Sequence, residues 1–296
     1  MASSSSNSRV LVLGGSCAIG RALKTRLGDR AVATHRGKGP EGWPRFDALA
    51  DPIDPLLNRE GPFRHAVVLF AESNPDRCAK DPAAARRLNI DRTVEILDRL
   101  MARGIVPLFT STESVFDGRK GAYVETDPPN PLMVYGRLKL EVERHLEEKQ
   151  ALVVRLARVV GSMQGNRTLF TGWLADIAEN RTLRVAADNR FSPIHVDDVA
   201  DGLVRLMDRS LTGLFHLGNP DGHGRLEMLE TLLRAWRDAG RSFSGRIEPV
   251  RFADFPTLEP RPLDSTIVPA KLIAATGLEI RSVETICRQA VAATSG

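Results

Sequence analysis

The 296 residues are enough to bury a large core in one big domain or two unequal ones, and 26% charged with 42% hydrophobic residues is the balance of an ordinary globular protein. A net charge of +4 without a concentrated basic run gives no nucleic-acid footprint, while anionic small ligands are compatible with it. No apolar stretch reaches the ~18 residues of a membrane span. Cys17, Cys78 and Cys287 are odd in number, widely spaced and lack C-x-x-C pairing, so neither a disulfide framework nor a zinc site is expected, and a reducing, cytoplasmic setting is. Residues 1–8, polar and Ser-rich, read as a flexible tail without the apolar stretch of a signal peptide.

Arg9 to Leu13 is a short apolar, β-branched run that stops at Gly14-Gly15, the pattern of a strand buried in a parallel sheet. Ala18 to Leu27 follows with helical spacing, Ile19, Leu23 and Leu27 falling on one side. Strand, glycine turn and helix open a βαβ unit. Further strands are predicted at Arg30 to Thr34, weakly at Pro44 to Asp47, strongly at His65 to Phe70, then at Ile105 to Thr110 and Ala151 to Leu156. Between them fall a long helix from Asp81 to Arg103, with Leu88, Val94, Leu97 and Leu100 as its apolar stripe, and a helix from about Leu132 to Glu148. This alternation implies an α/β fold built on a doubly wound parallel sheet of the Rossmann kind. In the second half a helix from Asp197 to Met207 starts with acidic residues that suit its dipole. A strand at Gly213 to Leu217 and a helix at Leu226 to Ala239 follow. Pro249, Pro256, Pro260, Pro262 and Pro269 then mark irregular backbone of the kind that walls a pocket.

Ligands of such sheets bind beyond the carboxyl ends of the strands, so the residues after each strand carry the functional reading. Gly14-Gly15-Ser16-Cys17-Ala18-Ile19-Gly20 lies between the first strand and helix, where Gly14 and Gly20 allow a tight turn and backbone N–H groups can approach a pyrophosphate. Ser16, Cys17, Ala18 and Ile19 are therefore candidate cofactor contacts, as are Asp47, closing the weak strand, and Ala71, directly after the strong one. After the second strand, Thr34-His35-Arg36-Gly37-Lys38 offers no carboxylate to a ribose 2′-hydroxyl. Arg36 and Lys38 suit a 2′-phosphate, favouring NADP(H) over NAD(H), or form only a solvated basic loop. Ser111 and Thr112 put hydroxyls at the same sheet edge, where they hold a carbonyl or simply cap the turn. Tyr135 and Lys139 stand four residues apart and share a helix face, so the ammonium is expected to lower the pKa of the phenol towards the range of a general acid or base. Taken alone, the pair is equally a tyrosine and a surface lysine on an amphipathic helix.

Glycine turn, hydroxyl pair and Tyr-x-x-x-Lys, in that order, resemble the extended short-chain dehydrogenase/reductase family, which pairs a Ser/Thr, Tyr and Lys triad with a nicotinamide dinucleotide. The resemblance carries the catalytic triad to Thr112, Tyr135 and Lys139, the last two also touching the cofactor. Ser111-Thr112-Glu113-Ser114-Val115-Phe116-Asp117-Gly118, Glu125-Thr126-Asp127, Asn130-Pro131-Leu132 and Arg261-Pro262-Leu263-Asp264-Ser265 look like the dTDP-4-dehydrorhamnose reductase subfamily. Pro193-Ile194-His195-Val196-Asp197-Asp198 is similar to a pattern general to the extended family. The resemblance implies a cofactor-binding domain over 9–160 and 184–222 and a smaller, discontinuous C-terminal substrate domain over 161–183 and 223–296, with the site in the cleft between them. It also implies NADPH-dependent reduction of a keto group on a nucleotide-linked sugar, a 4-keto-6-deoxyhexose first among the candidates, and is compatible with a homodimer. Ser111, Glu113 and, more weakly, Asn74 are candidate substrate contacts, and Arg261 either pairs with the diphosphate as a planar fork of donors or is a surface residue of the proline-rich loop. Arg155 and His195 are weaker candidates, His195 reading more readily as structural.

Two departures stand out. Cys17 replaces a glycine usual in the family's turn, and its side chain is expected to crowd that turn or resist positive φ. Glu113-Ser114 follows Thr112 where the family's dehydratases carry two carboxyls, so water elimination is not implied. An epimerase of the same family would share the triad. The regulatory β subunit of methionine adenosyltransferase also resembles this subfamily and implies a binding role instead.

Overall fold

The computed structural model describes residues 8–160 and 169–294; the expected tail, apart from Ser8, and residues 161–168 of the expected substrate domain lie outside them. In chain order the strands are β1 Val10–Leu13, β2 Ala31–Ala33, β3 His65–Val68, β4 Val106–Thr112 and β5 Leu152–Leu156, then the short β6 Val159–Val160, β7 Leu183–Ala186, β8 Arg190–Phe191 and β9 Ile194–His195. β10 Gly213–Leu217, β11 His223–Gly224 and β12 Ile247–Val250 complete the set. The helices are α1 Ala18–Leu27, α2 Ile53–Glu60, α3 Pro75–Lys80, α4 Pro82–Arg86, α5 Thr93–Ala102 and α6 Val134–Leu146. They continue with α7 Leu169–Ala178, α8 Val196–Asp208, α9 Arg225–Asp238, α10 Ala270–Thr276 and α11 Val283–Ala292.

Six strands form one sheet in the order β10-β5-β4-β3-β1-β2, and every pairing in it is parallel. Side chains alternate across a strand, so β1 serves two cores at once. Val10 and Val12 pack with Leu23 of α1 and Leu203 of α8, whereas Leu11 and Leu13 pack with Leu56 of α2, Leu97 of α5 and Val142 of α6. All four β1 side chains are fully buried, and each such burial contributes roughly 1.5–3 kcal/mol. That two-sided burial is why the strand reads as a continuous apolar run. A third cluster joins Phe170 and Trp173 of α7, Met228 and Leu232 of α9 and Ile286 of α11, beside the parallel pair β7–β12. Among the described residues no helix is long and apolar enough to cross a membrane.

The doubly wound parallel α/β sheet is as the sequence pattern predicts, with local exceptions. Pro44 to Asp47 does not become a strand: it makes one bridge, His35 to Arg45, held by His35 N–H to the Pro44 carbonyl and Phe46 N–H to the His35 carbonyl. Pro44 has no N–H to extend a ladder. The helix expected from Asp81 to Arg103 starts where predicted, Asp81 capping the Ala84 N–H at 3.0 Å, but a π-helical segment, Arg87–Arg92, interrupts it between α4 and α5. The wider turn shifts the inward face, so Ile90 and Ile96 join Leu97 and Leu100 in the core while Leu88 and Val94 are only partly buried. It also turns Asn89 inward, where its side-chain amide exchanges two hydrogen bonds with the backbone of Glu72, at 2.8 and 2.9 Å.

Candidate active site

The turn after β1 is packed too tightly for side chains at three positions. Gly14 has φ +83°, and a Cβ there would stand 3.0 Å from the Phe70 amide nitrogen. A Cβ on Gly15 would lie 2.7 Å from that of Ala33, and one on Gly20 would run into the Gly15 carbonyl. Cys17 is not crowded in this way. Its φ of −73° and ψ of 167° are ordinary for an L-residue, and its thiol caps α1 by accepting the Gly20 N–H at 3.4 Å. The expectation that Cys17 resists the turn is therefore corrected: the positive-φ position is Gly14. Burial pushes the Cys17 thiol up, so it caps as a neutral group.

Cys17, Ala18 and Ile19 form one wall of a cleft of about 450 Å³ at the carboxyl edge of the sheet, with Ala71 behind β3 and Thr112, Tyr135 and Lys139 opposite. Gly14 and Gly20 shape the turn, while Ser16 uses its carbonyl to accept from Arg21 at 3.1 Å. β4 runs on to Thr112, two residues further than predicted, and so delivers Ser111 and Thr112 to the same edge.

Tyr135 sits in the first turn of α6. No neighbouring side chain caps that helix locally; instead both carboxylate oxygens of Glu259 accept the Val134 N–H at 3.0 Å, and Glu259 also pairs with Arg137. A carboxylate at a helix N-terminus is favourable with the dipole. Burial pushes the Tyr135 phenol up, the Glu113 carboxylate adds to the rise, and the Thr112 hydroxyl opposes it. Lys139 is buried with its ammonium donating to the Thr110 carbonyl at 2.8 Å and standing 4.5 Å from the Phe109 ring centroid. Burial brings it down to about 8, Glu143 opposing. The expected lowering of the phenol by Lys139 is thus absent: the ammonium is turned to Thr110, and desolvation decides the sign. A protonated phenol beside a charged lysine remains an acid that can donate to a developing alkoxide.

Glu113, buried in the same cleft, is pushed up to about 7 by desolvation, with Arg158 pulling against the shift. Ser111 does not offer its hydroxyl to the cleft: the proton goes to the buried Glu143 carboxylate. Glu143 also takes two donors from Arg155, at 3.0 and 2.7 Å, and Arg155 continues to His216 at 3.4 Å. Arg155 is therefore half of a buried ion pair. His195 caps α8, its Nδ1 accepting the Asp197 N–H at 3.2 Å.

The remaining predicted contacts divide. Asn74 spends its Oδ1 on the start of α3, accepting from Asp76 N–H at 2.9 Å and Arg77 N–H at 3.1 Å. Asp47 does likewise in a turn, accepting Leu49 N–H at 3.0 Å. Arg36 is exposed at the end of β2 and lines a separate hollow of about 530 Å³ with Leu49, Arg77, Lys80 and Leu88. Arg261 lines a smaller cavity of about 270 Å³ that shares Glu113, Ser114 and Arg158 with the main cleft. Its guanidinium already holds Asp76, at 2.6 Å, and the Met133 sulfur. Arg158, Asn189, Arg225 and Phe252 line that second cavity and were missed from the sequence. Arg158 follows the end of β5 by two residues and so obeyed the strand-end rule; the others lie in segments without a motif.

Fold and cleft together define an extended short-chain dehydrogenase/reductase. The chain belongs to the RmlD substrate binding domain family, whose pattern matches residues 8–295. It is 30% identical over 174 residues to methionine adenosyltransferase 2 subunit beta of Bos taurus, a match covering 55% of this chain and only about half, 52%, of that relative. It is 25% identical over 292 residues to a dTDP-4-dehydrorhamnose reductase of Aggregatibacter actinomycetemcomitans, covering 92% of this chain and 94% of the other. In fold it resembles the crystal structure of dTDP-4-dehydrorhamnose reductase from Bacillus anthracis in complex with NADP, with a TM-score of 0.79 at 20% identity over 97% of this chain and 99% of that one.

Proposed function

We propose that this chain is an NADPH-dependent oxidoreductase that reduces a keto group on a nucleotide-linked sugar, a 4-keto-6-deoxyhexose first. The observation that carries it is the meeting of Thr112, Tyr135 and Lys139 with Cys17, Ala18 and Ile19 in one cleft. The residues fit a nicotinamide dinucleotide: Gly14, Gly15 and Gly20 leave no room for a Cβ against Phe70, Ala33 and the turn's own backbone, and the turn so packed presents Cys17, Ala18 and Ile19 as a cradle at the start of a ten-residue helix without an acidic first turn. Ala71 extends that cradle past β3. Arg36, with Lys38 beside it, supports NADP over NAD, since the end of β2 carries no carboxylate.

The bound cofactor would supply the hydride. Thr112 orients the substrate carbonyl, Tyr135 gives its proton to the alkoxide oxygen as charge develops there, and Lys139 keeps a positive charge behind the phenol. Residues 9–160 and 184–222 serve the cofactor, and 161–183 with 223–296 the sugar nucleotide. The unpaired Cys17, Cys78 and Cys287 suit a reducing, cytoplasmic setting. The test is loss of NADPH absorbance with a panel of dTDP-, GDP- and UDP-4-keto sugars. Turnover with at least one, cut about 10²–10⁴-fold in Tyr135→Phe, is the expected result. Tight NADPH binding with no turnover on any sugar would instead favour a binding subunit, the reading supported by the likeness to the methionine adenosyltransferase subunit.

A further inference from the structure

The smaller cavity beside the main cleft contains two arginines that form no ion pair among the described residues. Arg158, just past β5, and Arg225, the first residue of α9, both line it, and both guanidiniums lie near the Phe191 ring, at 6.0 and 5.8 Å from its centroid. Arg225 also stacks on Phe252 at 4.6 Å, and its buried Nε has no hydrogen-bond partner. Among the described residues no carboxylate oxygen lies within the 4.0 Å of an ion pair from either arginine. Burial, and after it the neighbouring Arg158, brings the Arg225 guanidinium down to about 9. Asn189, only 4% exposed, lines the same cavity with a buried Oδ1 that nothing satisfies.

The other arginines near the cleft are already engaged. Arg261 holds Asp76 at 2.6 Å, Arg190 holds the Gly222 carbonyl at 2.7 Å, and Arg155 holds Glu143. Arg158 is exposed at the mouth and Arg225 partly buried, and two like charges close together beside an aromatic wall repel unless an anion joins them. Glu113 feels the Arg158 charge, yet burial holds it at about 7 and it forms no ion pair with that guanidinium.

We infer that Arg158 and Arg225 form the clamp for the diphosphate of the substrate, with Phe191 as the shelf between them and Asn189 as an acceptor for an N–H of the attached nucleoside. The assignment rests on the reading of the cleft as a nucleotide-sugar site. It moves the anion contact from Arg261 to this pair. Because Arg158 borders both cavities, a diphosphate held there leaves its sugar directed towards Thr112 and Tyr135. Planar guanidiniums suit this task, each able to give two parallel N–H donors to phosphate oxygens.

The test is calorimetric titration of dTDP, UDP, GDP, thymidine and inorganic pyrophosphate into the full chain, free and saturated with NADP⁺. At least one nucleoside diphosphate should bind in the NADP⁺-loaded protein, with thymidine much weaker. Arg158→Gln and Arg225→Gln should each weaken it about 10- to 100-fold, while Arg158→Lys and Arg225→Lys retain part of the affinity and all four variants keep NADP⁺ binding, which reports an intact fold. Arg261→Gln should change diphosphate affinity less than either. Unchanged diphosphate binding in both glutamine variants, or binding of thymidine as tightly as dTDP, overturns the clamp. Reduction of keto sugars with KM untouched in both variants overturns it while the proposed function survives. Arginine-dependent diphosphate binding without any reduction leaves the clamp standing and removes the proposed activity.

Discussion

Lys139 gives its ammonium proton to the Thr110 carbonyl at 2.8 Å, from the helix that carries Tyr135 one turn earlier. The bond fixes the ammonium against the end of β4, while the Glu143 carboxylate opposes the desolvation that lowers Lys139.

The charge is lost as pH rises through about 8, the value to which burial brings Lys139 from its ordinary 10.5. Turnover should fall along an alkaline limb near that pH. Lys139→Arg should move the limb upward, because a guanidinium keeps its proton to beyond pH ~12. For stability the sign follows from a lowered folded-state pKa: the buried charge costs stability below about pH 8, and the cost fades as pH rises towards 10.5. A pH–rate profile for Lys139→Arg that superimposes on wild type would assign the limb to another group.

Glu113 shifts the other way. Its folded-state pKa of about 7 lies above the ordinary 4.5, so its contribution is full below pH 4.5 and disappears as pH rises through about 7. Across that window wild type should lose stability relative to Glu113→Gln, by up to about 1.4 kcal/mol per pH unit. Urea denaturation of both proteins at several pH values measures the difference. Parallel stability–pH curves would mean that Glu113 is not perturbed in the fold.

The Glu143–Arg155 pair is buried, with both side chains under a tenth exposed. Glu143→Ala leaves a buried guanidinium alone and should cost about 3–5 kcal/mol. Removing both charges, as Glu143→Leu with Arg155→Met, should cost much less than the sum of the single changes. Additive losses in a double-mutant cycle would show that the two charges are independent.

At the turn, Gly14→Ala must adopt a φ of +83° and meet the Phe70 amide nitrogen at 3.0 Å. A loss of about 1–3 kcal/mol and weaker NADPH binding are expected. Cys17→Ser keeps an acceptor at a position with φ of −73° and should leave NADPH affinity within about twofold. Fluorescence titration of NADPH separates the two variants, and a larger loss in Cys17→Ser than in Gly14→Ala would contradict this account of the turn.

The parallel sheet was legible because β1, β3 and β5 are buried on both faces, β1 being apolar at every position and β3 and β5 at all but His65 and Arg155. That Thr112, Tyr135 and Lys139 meet in one cleft was legible because strand ends and an i, i+4 spacing fix where such side chains emerge. Partnerships were not. Ser111 looks like a free hydroxyl until Glu143 is brought beside it, and Asn74 like a substrate contact until its oxygen is found on two backbone amides. The π turn at Arg87–Arg92 follows from tertiary packing of Asn89 and has no periodic signal. Arg225 stands out only because no carboxylate among the described residues pairs with it, which a sequence does not contain.

The cap of α6 comes from Glu259, 125 residues beyond the Val134 N–H it accepts. A chain made from its amino terminus therefore possesses the tyrosine, the lysine and the nucleotide turn long before it possesses the residue that fastens their helix. The proposed activity should arrive late in synthesis, with the proline-rich loop, and an isolated amino-terminal half should bind NADPH with the Tyr135 helix unfastened.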